Sequence, residues 1–111
     1  MGADAFVVFF GVRYSIPDDD DDLEKLDSRT DPRVEAARGA GLHTYCGRLT
    51  EGEDHFLLIG FRLGVFGVEN ELQKSIWERE LLQTMERTRL KLRDASFKEE
   101  PALHLQLDAQ H

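Results

Sequence analysis

The chain has 111 residues, enough for one domain with a substantial core. Hydrophobic residues make up 41% and charged residues 32%, the balance of a globular domain and too apolar for a disordered chain. A net charge of −8 argues against nucleic-acid duplexes as partners, which call for a basic excess, and leaves a basic protein surface as the complementary one.

Cys46 is the single cysteine, so no intrachain disulfide forms and no oxidising compartment is needed. The segment from Ala5 to Val12 is apolar, but Asp4 stands where a signal peptide is basic, and the run is too short to span a bilayer. Phe6 occupies the position where a myristoylation signal needs Ser or Thr. The expectation is a cytoplasmic protein without membrane contact.

Ala5 to Tyr14 has the β-branched and aromatic content of a strand, ended by Ser15, Ile16 and Pro17. Phe6, Val8, Phe10, Val12 and Tyr14 fall on one face and Val7, Phe9, Gly11 and Arg13 on the other, so most of the strand is apolar on both sides and belongs at a sheet centre. Residues 17–40 read as helical with an interruption: a short turn or helix over Asp20 to Leu26, then a helix entered at Asp31-Pro32 and closed by Gly39 or Gly41. Leu42 to Thr50 and His55 to about Val65 form two further strands, with Gly64 and Gly67 marking a bulge or turn.

From Leu72 onward two apolar stripes are out of phase on a helical wheel, and Ser75-Ile76-Trp77-Glu78 fits a capping box between them. A helix over 76–95 follows, with Trp77, Leu81, Met85, Thr88 and Leu92 on its inner stripe. Pro101 to Asp108 alternates, with Leu103, Leu105 and Leu107 on one face and Ala102, His104, Gln106 and Asp108 on the other, as an edge strand does.

The order is βαββαβ. One α+β domain over 1–111 is expected, a ferredoxin-like four-stranded antiparallel sheet with two helices on one face, its first and third strands central. The other sheet face then collects Val7, Phe9, Arg13, Phe56, Leu58 and Arg62, joined by His43 and Tyr45 when the hairpin loop has two or four residues, whereas a three-residue loop reverses this. So large an apolar patch needs a cover. A second copy packing sheet on sheet is one cover, making the protein a homodimer. A ligand held by Arg13, His43, Tyr45 and Arg62 over the floor of Phe9, Phe56 and Leu58 is another, and the C-terminal tail is a third.

No phosphate loop, dinucleotide fingerprint, nucleophile elbow or paired cysteine motif occurs. His43 and Cys46 fall on opposite strand faces, which defeats zinc binding and Cys/His catalysis, and Cys46 reads as a small core residue. His55, His104 and His111 read as surface residues. The run Asp18 to Asp22 fails as an EF-hand, because Leu23 stands at the glycine position and Arg29 at the final glutamate. It reads either as a solvated helix entry or as an acidic recognition patch, Asp18, Asp19, Asp20, Asp21, Asp22, Glu24 and Asp27, for a basic partner. No metal or cofactor is expected. The functional expectation is a small acidic non-catalytic interaction protein, of inhibitor or immunity type. The alternative is a small-molecule-binding protein or enzyme that uses the open sheet face.

Overall fold

The structure is a computed structural model that describes residues 5–16, 31–48, 55–67 and 70–108. In chain order it contains β1 (Ala5–Ile16), α1 (Pro32–Gly39), β2 (His43–Arg48), β3 (His55–Phe66), α2 (Glu78–Asp94) and β4 (Ala102–Asp108). The strands form one antiparallel open sheet in the order β2-β3-β1-β4. The two strands that are apolar on both faces are central, as their composition requires.

Both helices are stopped at their C-terminal ends by backbone hydrogen bonds, and α1 is also capped at its start by a side chain. Asp31 caps α1, its carboxylate accepting from Arg33 N–H at 2.8 Å and pairing with the Arg33 guanidinium at 2.9 Å. Those Arg33 bonds hold the Asp31 carboxyl below the usual carboxylate range. At the other end Gly41 takes φ 75° and Leu42 N–H returns to Ala37 O at 2.9 Å, a glycine-terminated helix stop that also buries Leu42. Helix α2 ends in the same way without a glycine. Ser96 takes φ 68°, and Phe97 N–H donates to Leu92 O at 2.9 Å.

The expected capping box does not form. Trp77, not Ser75, is the N-cap of α2 and makes no side-chain cap bond, while Ser75 Oγ accepts from Gln73 Nε2 at 2.7 Å. The inner stripe of α2 is otherwise as expected. Thr88 and Leu92 are buried, Leu81 and Met85 half-buried, and only Trp77 is displaced outward, at 71% exposure.

Val34 and Ala37 of α1 and Leu92 of α2 share one core with Val12, Ile16, Leu42, Leu57 and Ile59, so both helices pack on the same face of the sheet. Helix α1 lies against β2 and β3, and α2 against β1 and β3; neither packs substantially on β4.

Two irregularities shape the sheet. The β1–β3 register shifts between Val8 and Phe9, which face Gly64 and Arg62 respectively. Leu63 is the extra residue of this bulge, next to the glycine whose sequence context suggested one. The bulge also turns Val65 to the face of Val7, its partner, away from the helix side expected for it. Gly11 and Gly60 stand opposite each other at φ 155° and 153°. A Cβ on Gly11 would lie 2.0 Å from Ile59 O, and one on Gly60 2.1 Å from Phe10 O. No other residue type allows the two central strands to approach and bend this sharply.

Candidate functional site

The bend curls the sheet toward the face opposite α1 and α2. The outer strands, separated in the sheet by two others, meet across it: Tyr45 Oη on β2 donates to Asp108 Oδ2 on β4 at 2.8 Å. Gly47 makes room for the contact, since a Cβ there would lie 2.9 Å from Asp108 Oδ2 and 2.5 Å from the Phe56 ring. Beneath this bridge Val7, Phe9, Phe56 and Leu58 form a second small core, each at 0% exposure, with Tyr45 stacked on Phe56.

This corrects the expectation of an exposed apolar patch on that face. Curling covers the floor with the chain's own polar side chains, so the patch does not call for a second copy there. Arg13 lies with its guanidinium carbon 5.8 Å from the Phe56 ring centroid. Its Nε donates to Gln106 Oε1 at 2.9 Å and its Nη1 to Ser15 Oγ at 3.2 Å. His104 Nε2 lies 3.0 Å from Gly11 O. Of the residues picked from sequence, Phe9, Phe56 and Leu58 are therefore the buried floor and Arg13 and Tyr45 its lid.

His43 faces Gly60, and Tyr45 faces Leu58, the face expected for a two- or four-residue loop, although six residues separate β2 from β3. His43 Nδ1 accepts from Arg62 N–H at 3.0 Å, and its ring lies 4.7 Å from that of Phe61. Burial first, then the charges of Arg62 and Lys91, lower its pKa and keep the ring neutral, as an acceptor must be. Arg62 and Tyr45 come together in one cavity of about 480 Å³, with Gly64, Asn70, Glu71 and Lys74. Arg13 and His43 do not line it.

Arg62, Lys74 and the Asn70 amide line the cavity together with the Glu71 carboxylate, a net positive set that can grip a small anionic group. The Tyr45 proton is already given to Asp108. The phenol is no general base at neutral pH. Burial, then the hydrogen bond to Asp108, push the Tyr45 pKa well above that of a free tyrosine. Among the described residues no group of three His, Cys, Asp or Glu is placed to hold a metal ion, and no helix is long and apolar enough to cross a membrane.

Three further expectations change. Cys46, expected in the core, is exposed, because β2 is an edge strand and its Cys46 face is only partly overlaid by α1. His55 and His104 are half-buried, not surface residues. Strand β4 is turned the other way from a simple amphipathic strand. Leu103 and Leu105 are 55% and 61% exposed on the helix side, while Asp108 is 5% exposed beneath Tyr45. Asp18 to Asp22, Glu24 and Asp27 lie outside the described residues, as do His111 and the expected turn or helix over Asp20 to Leu26.

Sequence reasoning passed over Asp108, Gln106 and His104, the β4 contribution to the lid. The signal was present in the alternation: a carboxylate, an amide and an imidazole on one face of a strand need partners wherever that face is covered. Comparison with protein-family models, curated proteins and solved structures finds no match for the chain.

Proposed function

We propose that the protein is a non-catalytic interaction module, a ferredoxin-like βαββαβ domain of inhibitor or immunity type that acts by docking on another protein. The observation that carries this reading is the reversed strand β4. Leu103 and Leu105 pair with Phe10 and Val8 in the sheet, and with Phe6, 43% exposed, they make a contiguous apolar strip that neither helix covers. An apolar patch of this kind on a monomer's surface is often a functional one. The acidic run Asp18 to Asp22, with Glu24 and Asp27, suits long-range steering toward a basic partner in the cytoplasm, while the strip supplies contact area.

The test is retention of a partner by the immobilised chain. A partner held by the native protein should associate more slowly, and with a flatter salt dependence, when Asp18 to Asp22 are changed to Asn. It should be lost when Leu103 and Leu105 are changed to Lys. A chain that retains nothing, with both variants behaving like the native protein, removes this reading.

A second reading is favoured by one observation, the cavity that joins Arg62, Lys74 and Asn70 with Glu71, two cations against one carboxylate. It makes the protein a binder of small anionic metabolites. A thermal-shift screen of carboxylates and phosphates should then give a hit that Arg62→Ala abolishes, and a screen without hits counts against it.

A further inference from the structure

The cavity at the bulge of β3 holds charges of both signs that do not meet. Arg62, Lys74 and Glu71 all line it. Among the described residues the ion pairs are Arg33 with Asp31 and Arg89 with Glu86, so neither cation pairs with the carboxylate that shares its cavity.

The backbone keeps the three apart. Glu71 N–H donates to Val65 O at 3.2 Å, and Glu71 O accepts from Gly67 N–H at 3.1 Å, which pins residue 71 beside the end of β3 as an isolated parallel bridge to Phe66. Its carboxylate lies over Gly64, where a Cβ would come within 3.0 Å of Glu71 Oε2 and 2.7 Å of the Phe66 ring. Arg62 stands two residues before that glycine, across the bulge residue Leu63, and its N–H is held by His43 Nδ1 at 3.0 Å. Asn70 N–H donates to Gly67 O at 3.1 Å, which fixes the amide next to Glu71.

A ligand of one sign leaves part of this set unmatched. A phosphate or a simple dicarboxylate satisfies Arg62 and Lys74 but sets negative charge against Glu71, and a simple amine does the reverse. Tyr45 gives its proton to Asp108 and so has no donor for an anion. From this arrangement we infer that the cavity takes an amino acid with a second acidic group, its two carboxylates on Arg62 and Lys74 and its ammonium on Glu71. Two cations and one anion in the wall then face two anions and one cation in the ligand. The Arg62 guanidinium offers the paired donors that a carboxylate accepts best, and the Asn70 amide, both donor and acceptor, serves either end. A volume of about 480 Å³ suits a small-molecule site. The inference rests on the second reading above, that this cavity binds small anions, and names their class.

Isothermal titration calorimetry of the full chain tests it with aspartate and glutamate as probes. Succinate and glutarate are the controls, which keep both carboxylates and lack the amine. Each amino acid should bind about tenfold tighter than its amine-free counterpart. Glu71→Gln should erase that preference, weakening the amino acid about tenfold and leaving the dicarboxylate as tight or tighter. Arg62→Ala should abolish binding of all four. Both side chains are exposed, so the free variants should unfold at the native temperature. If amino acid and dicarboxylate bind alike and only Arg62→Ala matters, the inference falls and the anion-binding reading stands. A preference that Glu71→Gln leaves intact, or binding that survives Arg62→Ala, also overturns the inference. So does the absence of binding by all four up to about 10 mM, and the wider screen of carboxylates and phosphates then decides the anion-binding reading by itself.

Discussion

Strand β2 exposes Thr44 and Cys46 on its helix side and turns Tyr45 against Phe56 on the other. Strand β4, at the opposite side of the same sheet, exposes Leu103 and Leu105 on its helix side and turns Asp108, Gln106 and His104 toward the curled face. The difference is not one of local pattern, since β4 has the cleaner alternation of the two. What separates them is where the helices and the curl fall. Helix α1 lies over β2, neither of the two described helices packs substantially on β4, and the bend at Gly11 and Gly60 brings both edges together over the floor of Phe9 and Phe56. An edge strand's inside is thus chosen by the bend of its neighbours.

The most damaging change is one that straightens the bend. Gly11→Ala puts a methyl into Ile59 O, and a loss of about 4 kcal/mol or more in urea denaturation is expected, the range of severe steric changes. Phe56→Ala empties the curled face and should cost about 3–5 kcal/mol. A loss below 1 kcal/mol in either variant would mean that the second core contributes little.

Tyr45→Phe tests the bridge between the two edges. It takes one donor from a buried carboxylate and should cost about 1.5–3 kcal/mol. The bridge also has a pH signature. The Tyr45 pKa is raised in the folded protein, so its contribution is complete below pH 10, the unfolded value, and declines as the pH rises beyond it. Tyr14, raised to about 12 by burial and by its hydrogen bond to Glu99, has the same sign, with its loss spread between pH 10 and about 12. The alkaline fall in thermal stability should accordingly be smaller in Tyr45→Phe than in the native protein.

Ser96→Gly relieves the left-handed backbone at the end of α2 and should add about 1 kcal/mol. The smallest effect is the most pointed. Leu103→Thr and Leu105→Thr should each change stability by no more than about 0.5 kcal/mol. A loss as large as that of Phe56→Ala would show that the strip is core and that β4 is not reversed.

Much of the fold was legible because it rests on short-range rules. Asp31-Pro32 announced α1, two doubly apolar strands announced the sheet centre, and Gly64 announced the bulge. The α2 start was misread because Ser75 fits a capping box that the backbone does not use, its hydroxyl being engaged by Gln73. The site was legible in part. Residue parity correctly put His43, Tyr45, Arg13 and Arg62 on one face, but parity assigns a face without saying whether it is flat.

By itself, then, the sequence determined the strands, the two helices, which strands are central, and which side chains share a face, because alternation and capping depend only on neighbours along the chain. The tertiary structure decided which face of each edge strand is the inside. That depends on a glycine pair, Gly11 and Gly60, far apart in sequence, whose missing side chains let two strands bend together until Tyr45 reaches Asp108.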